Sequence, residues 1–352
     1  SRQVTTSTTS PAAETELAAA PEPPAAPVGI GRRFLALQTR VPIIQLVGVV
    51  VLVIIGATTM QDFLSGTSIR LILTLASLAG LASVGQTILI LLGGFDMSVA
   101  GFIVAGGLMV TQVASLFHWP FALALLIGIA GAAVLGGLAG YVCHRFAINP
   151  LIVTLAMGTV AVGLAQTMIP GGLTFGANAP KFLIALASPE TKVLGLPIPP
   201  LLLIWIAVAL ILWVVFSKTV VGRHLMAVGA NQRSADYSLI PSGRYWMIGF
   251  AISAMCSVLL GLLVAGSGGA ITTGAGDPYL FQSAVAVIVG GTVFGGPGDY
   301  NRTVIGALFL ALLNTVLLGN GAGAAAQQYI YGLAILASVS VYSRGRRLRD
   351  QF

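Results

Sequence analysis

The stretch Leu91-Leu-Gly-Gly-Phe-Asp-Met-Ser-Val-Ala-Gly101 places one carboxylate among glycines and other small residues, between two long apolar runs. The runs, residues 71–93 and 97–117, are long enough to cross a hydrocarbon core about 30 Å thick, which needs roughly 20 residues. A charged group at the edge of a hydrocarbon layer is costly, so Asp96 marks either a functional position or the start of a helix. The stretch therefore predicts two membrane helices joined by a short glycine turn.

The composition of the whole chain is that of a membrane protein. Hydrophobic residues make up 57% of its 352 residues and charged residues only 8%, whereas about a quarter of the residues in soluble domains are charged. We therefore predict an all-α polytopic membrane protein with about ten transmembrane helices. The apolar runs are 41–59, 71–93, 97–117, 121–142, 151–169, 199–216, 245–266, 281–295, 304–319 and 326–343.

The positive charges are distributed asymmetrically between the predicted loops. With a cytoplasmic N-terminus, 14 of the 17 Lys and Arg residues fall in inside segments and three in outside segments. The positive-inside rule then favours an even number of helices with both termini in the cytoplasm. Cationic residues beside lipid headgroups explain the net charge of +7, so no nucleic-acid partner is expected.

The chain is predicted to consist of a membrane domain and two short tails. Residues 1–31 are rich in Ser and Thr, then in Pro, Ala and Glu, and contain no apolar run resembling a signal sequence. We expect them to form a disordered cytoplasmic tail and not a cleaved leader. Residues 32–347 form the transmembrane domain, with a cytoplasmic loop at 217–244, and residues 348–352 form a C-terminal tail.

The chain lacks the sequence patterns of an enzyme or of a cofactor site. It contains no Gly-x-x-x-x-Gly-Lys-Ser/Thr loop for ATP. Its three histidines lie in separate loops without the spacing of metal ligands. Cys143 and Cys256 are expected to be small packing residues and not a disulfide pair. We therefore expect no catalytic residues, no metal and no cofactor.

Uncharged polar side chains within the predicted spans are the candidates for a solute pathway. The spans contain no series of Asp, Glu or His residues of the kind that ion-coupled pumps use to relay protons. The amides of Gln86, Gln166 and Asn314 are costly to bury. Because each amide both donates and accepts hydrogen bonds, they suit an uncharged polyhydroxylated solute. The alternative is that they only hydrogen-bond neighbouring helices.

The loop at 217–244 is the most patterned polar segment of the chain. Asn231 is placed to cap a short helix over residues 232–239. Such a helix either anchors the loop in the membrane surface or docks in a groove of a cytoplasmic partner. Its small apolar face would consist of Ala235, Leu239 and Ile240, beside Arg233 and Asp236.

A glycine–aspartate pattern occurs twice, as Gly93-Gly-Phe-Asp96 and as Gly295-Gly-Pro-Gly-Asp299. Both copies place an Asp after glycines at a predicted inside turn. Internal duplication is common in transporter folds, so the pair is a weak indication of a repeat.

Three blocks of sequence occur in a consistent order. The first is Gly93-Gly-Phe-Asp-Met-Ser-Val-Ala-Gly101, and the second is Gly222-Arg-His-Leu-Met-Ala-Val-Gly-Ala-Asn-Gln-Arg-Ser-Ala-Asp236. The third comprises Gly290-Gly-Thr-Val-Phe-Gly-Gly-Pro-Gly298, Thr303-Val-Ile-Gly-Ala-Leu308 and Gln327-Gln-Tyr329. Together they resemble the ribose-type permeases of ABC transporters over roughly residues 40–347. The first resembles their Gly-Gly-Ile-Asp-Leu-Ser-Val-Gly signature, and the second their cytoplasmic loop. Ala100 and Ala230 stand where that family usually has glycine, and Asp236-Tyr-Ser replaces a more apolar stretch.

The resemblance implies that residues 32–347 form a permease domain that pairs with a second permease subunit, as a homodimer or a heterodimer. It also implies a cytoplasmic ATPase, an extracytoplasmic sugar-binding protein and a location in the bacterial cytoplasmic membrane. The expected function is passage of a monosaccharide, either a pentose or a hexose, by alternating access. Open alternatives are a nucleoside, an amino acid or a signalling molecule as the solute. A secondary transporter or channel that needs no ATPase is also an alternative.

The resemblance also implies roles for individual residues. The helix capped by Asn231 becomes the coupling helix that sits in an ATPase groove. Asp96 either accepts amide hydrogens at the start of the third span or contacts sugar hydroxyls, and its position before Met97 and Ser98 favours the cap. The expected coupling residues are Arg223, Gly229, Asn231, Arg233, Ala235, Asp236 and Leu239. The expected pathway residues are Gln86, Phe95, Asp96, Ser98, Gln166, Gln282 and Asn314.

Overall fold

The computed structural model describes residues 42–169, 178–193, 195–296 and 298–343, and the predicted tails at 1–31 and 348–352 lie outside these residues. The described chain is helical and has no β-strand, apart from one isolated bridge between Val193 and Leu196. The all-α fold is therefore confirmed. In chain order the helices are α1 (Ile43–Thr59), α2 (Gly66–Leu91), α3 (Val99–Leu116), α4 (Phe121–Phe146), α5 (Pro150–Thr167), α6 (Lys181–Ala187), α7 (Pro200–Lys218), α8 (Val220–Ala230), α9 (Gln232–Tyr237), α10 (Ser242–Gly268), α11 (Asp277–Gly290), α12 (Tyr300–Gly319) and α13 (Ala324–Ser343).

Each predicted apolar run coincides with a helix, but seven of the described helices are long and apolar enough to cross a membrane. These seven are α2, α3, α4, α5, α7, α10 and α12. α1 has 17 residues and α11 has 14, fewer than the roughly 20 of a typical span. α13 has 20 residues and carries the polar pair Gln327 and Gln328 near its start. The multi-pass membrane fold is confirmed, and the count of ten spans is not.

The apolar helices differ in how much of their surface the protein covers. Of the most apolar 18 residues in each helix, 83% are buried in α2 and 78% in α3, but only 17% in α4 and in α7. Leu126 of α4 and Leu210 of α7 are among the exposed apolar side chains. Such side chains are stable where lipid tails are the solvent. The protein-lined interior therefore lies around α2 and α3.

Glycines allow α10 to approach its neighbours closely. A Cβ atom added to Gly106 of α3 would lie 2.5 Å from the Val258 carbonyl oxygen of α10. One added to Gly140 of α4 would lie 2.5 Å from the Trp246 carbonyl oxygen of α10. Helices in lipid associate through close packing of small residues because no hydrophobic effect drives them together. α10 is therefore held firmly between α3 and α4.

A buried tyrosine ties α12 to α2 and α7. The Tyr300 hydroxyl donates a hydrogen bond to the Gly80 carbonyl oxygen at 2.6 Å, and Trp205 Nε1 donates to the same hydroxyl at 3.1 Å. The hydroxyls of Thr87 and Thr303 lie 3.0 Å apart and bond α2 to α12 again. Paired polar groups are strongly preferred where water is excluded. These bonds therefore fix the register of α12 against α2.

Candidate functional site

The residues that join α2 to α3 form a tight turn around a buried carboxylate. Gly93 has a φ of +82°, a left-handed backbone conformation that glycine adopts without steric cost. Asp96 is only 1% exposed. Its Oδ1 accepts hydrogen bonds from the Ser98 amide at 2.7 Å and from the Ser98 hydroxyl, and its Oδ2 accepts one from the Ser253 hydroxyl at 2.6 Å. Because Ser253 lies in α10, the turn is fixed to that central helix.

These bonds bear on the two alternatives for Asp96. α3 begins at Val99, and the cap residue Ser98 makes no capping bond with its own side chain. Asp96 binds the amide of Ser98, so it supports the residue before the helix and does not cap the first turn directly. Both carboxylate oxygens are held by protein donors. This arrangement favours a positioning role over contact with a solute.

The two glycine–aspartate turns lie against each other. The Gly295 amide donates a hydrogen bond to the Ile90 carbonyl oxygen at 2.9 Å. The rings of Phe95 and Phe294 stack, with centroids 6.2 Å apart and planes inclined by 21°. Asp299 then caps α12 by accepting a hydrogen bond from the Arg302 amide at 2.9 Å. We call residues 92–98 together with 291–296 and 298–299 the paired turns, and the end of the helices where they lie the turn end.

Helix α8 contacts the paired turns through its backbone. A Cβ atom on Gly229 would overlap the carbonyl oxygen of Leu91, at the end of α2. A Cβ atom on Gly295 would lie 2.5 Å from the Gly229 carbonyl oxygen. Backbone packed against backbone leaves no flexible side chain to absorb a displacement. Gly229 therefore places α8 in direct backbone contact with the end of α2 and with the second turn.

The loop at 217–244 is more helical than the sequence indicates. It contains α8, which the sequence pattern did not predict, followed by the short helix α9. The Asn231 side chain accepts a hydrogen bond from the Ser234 amide at 3.0 Å, which confirms the predicted helix cap. α9 ends at Tyr237 and not at the predicted residue 239, because Leu239 adopts a left-handed backbone with a φ of +61°.

The predicted apolar face of α9 is divided between two environments. Ala235 is only 3% exposed and packs into the hydrophobic core, so it does not belong to an accessible surface as predicted. Ile240 is partly buried against the same core. By contrast, Leu239 is 91% exposed, and Tyr237, which the sequence did not single out, is 90% exposed. The exposed surface at the end of α9 therefore includes Tyr237 and Leu239, and the side chains of Arg223 and Arg233 are exposed as well.

Asp236 holds α9 to the start of α10. It accepts hydrogen bonds from the Ser242 amide at 3.0 Å and from the Ser242 hydroxyl at 2.9 Å. The Ser242 hydroxyl also lies 2.8 Å from Nε2 of His144, at the end of α4. The two bonds from Ser242, the backbone one first, hold the pKa of the Asp236 carboxyl below its usual value. Asp236 thus positions the loop. The sequence analysis did not identify Ser242 as its hydrogen-bond partner.

The predicted pathway residues do not form one cluster. Gln86 in α2 is completely buried, and neither atom of its amide has a hydrogen-bond partner among the described residues. Gln166, near the end of α5, is exposed. Gln282 and Asn314 come together through Tyr331, which the sequence analysis missed. Gln282 Nε2 donates to the Tyr331 hydroxyl at 3.5 Å, and that hydroxyl donates to Asn314 Oδ1.

Comparison with known proteins assigns this architecture to a transport family. Residues 68–339 match the family described as the permease component of the branched-chain amino acid transport system. The chain belongs to this permease family. It is 31% identical over 278 residues to the ribose import permease protein of Haemophilus influenzae, covering 77% of this chain and 83% of that protein. No solved structure matches the chain significantly.

Two further permease relatives carry the names of other sugars. The D-allose transport system permease protein of Escherichia coli is 27% identical to the chain, covering 83% of this chain and 86% of that protein. The fructose import permease protein of Rhizobium meliloti is 25% identical, covering 86% of this chain and 84% of that protein. The chain is therefore a multi-pass membrane transport protein of the sugar-transport branch of ABC permeases.

Proposed function

We propose that the chain is the membrane subunit of an ATP-driven importer that passes a pentose or a hexose by alternating access. The named sugars of its relatives support a monosaccharide as the solute. The pathway side chains agree with an uncharged solute, because Gln86, Gln282 and Asn314 carry neutral amides that donate and accept hydrogen bonds. The buried and unpaired amide of Gln86 would be satisfied by water or by sugar hydroxyls during passage.

The observation that carries the proposal is the contact of α8 with the paired turns at Gly229. An ATPase bound to the adjacent surface of Tyr237 and Leu239 would displace α9 and α8 together. Gly229 would then push on the ends of α2 and α11, which meet at the paired turns. Because both helices are packed against their neighbours, a small displacement at the turn end would tilt them as rigid elements.

The proposal includes a topology and a set of partners. Ten spans with both termini in the cytoplasm place the loop at 217–244 beside a cytoplasmic ATPase, in the bacterial cytoplasmic membrane. A second permease subunit, identical or different, completes the pathway between two copies. An extracytoplasmic sugar-binding protein delivers the solute and supplies much of the specificity. Arg223 and Arg233 then border both the ATPase and the anionic headgroups.

The test is uptake by proteoliposomes that contain the permease, the ATPase and the binding protein. We expect ribose, allose or fructose uptake only when ATP is enclosed with the ATPase. Uptake that persists without ATP and ATPase would instead establish a secondary transporter or channel. Uptake of branched-chain amino acids but not of sugars would establish the solute class that the family description names.

A variant of the exposed surface formed by Tyr237 and Leu239 tests coupling to the ATPase in the same reconstituted system. Leu239→Asn removes the exposed apolar group and suits the left-handed backbone at this position, so it should not unfold the loop. If Leu239 is an interface hot spot, we expect ATPase binding to weaken by about tenfold or more. Leu196→Asn, another exposed leucine, is the matched control because it lies in the predicted outside segment. Equal ATPase binding by Leu239→Asn and wild type would overturn the coupling assignment.

A further inference from the structure

A cavity with both polar and apolar walls lies between α11 and α13, at the opposite end of the helices from the paired turns. It has a volume of about 380 Å³. The first turns of α11 contribute Asp277 and Gln282, and α13 contributes Gln327, Gln328 and Tyr331. We call this space the glutamine cavity. Gln327 and Gln328 belong to the third sequence block, and the coupling mechanism assigns them no role.

The lining of the glutamine cavity carries many hydrogen-bonding groups and little charge. Three side-chain amides and one phenol face it, and no Lys or Arg lines it. None of the described residues hydrogen-bonds the side chains of Gln327 and Gln328. Gln282 and Tyr331 are already bonded to each other and, through Tyr331, to Asn314, so this wall is oriented in advance. Preorganised amides with unused donors and acceptors suit a ligand that has several hydroxyl groups.

The electrostatics of the glutamine cavity disfavour an anionic ligand. The N-terminus of α11 would attract a carboxylate, but Asp277 lies in its first turn and compensates the helix dipole. A ligand carboxylate would therefore meet a like charge and no cation. A neutral molecule avoids this repulsion, and apolar surface on Phe281 and Leu280 is available for its C–H groups. The volume falls within the range of roughly 300–1,000 Å³ that is typical of small-molecule sites.

The cavity is connected to the coupling machinery by a single helix. α11 begins at the cavity with Asp277 and ends at Gly290, directly before the second of the paired turns. α11 has 14 residues and rises about 1.5 Å per residue. A displacement of the second turn would therefore reach the cavity along this one short helix. Sugar binding and the position of α8 would thus be linked through α11.

We propose that the glutamine cavity is a solute-binding site of the permease itself, which holds one neutral polyhydroxylated molecule of monosaccharide size. Gln282, Gln327, Gln328 and Tyr331 supply the hydrogen bonds. The proposal rests on the proposed function for its orientation, which places the cavity on the side where the binding protein delivers the sugar. It adds a second selection step to the one that the binding protein makes.

Direct binding tests the cavity without any need for ATP. In a Gly274→Cys variant of the full permease in vesicles, which keeps all four hydrogen-bonding side chains of the cavity, a maleimide that does not cross membranes should label residue 274. Cys143 is buried and Cys256 is partly buried, so they add little background. The probes are ribose, D-allose and fructose, with leucine as the amino-acid comparison. We expect at least one sugar, and not leucine, to slow the labelling. Failure of all three sugars to slow it overturns the proposal.

Transport kinetics give the second readout. In the complete complex, Gln328→Leu and Tyr331→Phe should each lower kcat/KM for uptake of the transported sugar by about tenfold, the effect of one lost hydrogen bond of about 1.4 kcal/mol. Gln61→Leu is the matched control, since Gln61 is an exposed glutamine outside the cavity. Wild-type kinetics in both cavity variants would overturn the site. Uptake without ATP would overturn the proposed function instead and leave the labelling result standing.

Discussion

The two ends of the helices differ in the contacts that their residues make. At the turn end, the paired turns and α8 meet through glycine backbones, and Asp96 and Asp236 have their oxygens bound by serine groups. At the opposite end, the glutamine cavity is lined by three amides, of which those of Gln327 and Gln328 have no hydrogen-bond partner among the described residues. A region that transmits displacement needs tight contacts, whereas a region that binds and releases a solute needs unused hydrogen-bonding groups. The contrast supports the proposal that coupling and solute binding occupy opposite ends of the same helices.

The largest effect is expected from Gly229→Ala. The added methyl group overlaps the Leu91 carbonyl oxygen, so α8 must shift away from the paired turns. Overpacking at such a contact costs about 1–3 kcal/mol, and we expect ATP-driven uptake to be lost while basal ATP hydrolysis remains. Gly268→Ala is the control, because nothing lies within 4 Å of the Cβ position there. Normal uptake in Gly229→Ala would remove the distinction between the two ends.

Asp96→Asn should destabilise the turn end without a direct effect on solute binding. One oxygen is replaced by an amide donor, which faces the hydroxyl of either Ser98 or Ser253. A buried group left without its partner costs about 1–3 kcal/mol, measurable as a lowered unfolding temperature of the purified permease. Asp62→Asn, at an exposed carboxylate, is the control. A raised KM for sugar at unchanged stability would show instead that Asp96 contacts the solute.

The stacked rings of Phe95 and Phe294 should contribute a smaller amount. A double-mutant cycle with Phe95→Leu and Phe294→Leu isolates their interaction. We expect a coupling energy of about 0.5–1.5 kcal/mol in the free energy of unfolding. Strictly additive effects would mean that the two turns are held together by their backbone contacts alone.

The smallest effect concerns the pH dependence of stability at Asp236. Because its pKa is lowered in the folded protein, the ionised form stabilises the fold above the ordinary Asp pKa of about 3.9. This stabilisation is lost as the pH falls through the lowered pKa. Unfolding temperatures of wild type and Asp236→Asn should therefore differ at pH 6 and converge as the pH falls below the lowered pKa. A difference in unfolding temperature that does not change with pH would show that Asp236→Asn acts through hydrogen-bond geometry and not through the charge of the carboxylate.

The sequence predicted features that depend on local physics. Apolar runs located the membrane helices because hydrocarbon thickness sets their length, and Asn231 was recognised as a cap because it acts within three residues. The sequence showed the glycine–aspartate pattern twice but did not show that the two turns pack against each other. Residues about 200 positions apart meet only in the folded protein. Ala235 was assigned to the surface because a six-residue helix does not reveal which of its apolar residues faces the core.

The partners of the site residues were beyond sequence reasoning for the same reason. Ser253 lies 157 residues from Asp96. Tyr331 joins Gln282 to Asn314 across three helices, and no local pattern distinguishes it from other tyrosines. Gly229 was marked by the family resemblance, but its close approach to Leu91 depends on how α8 folds back onto α2.

The central claim is that α8 and the paired turns move together when the ATPase closes. Amide hydrogen exchange of the complete complex, with and without a non-hydrolysable ATP analogue, measures this directly. We predict that exchange changes together in residues 220–230, 90–96 and 291–296, and that Leu239→Asn reduces all three changes together. A change in residues 220–230 with none in either turn would contradict the account.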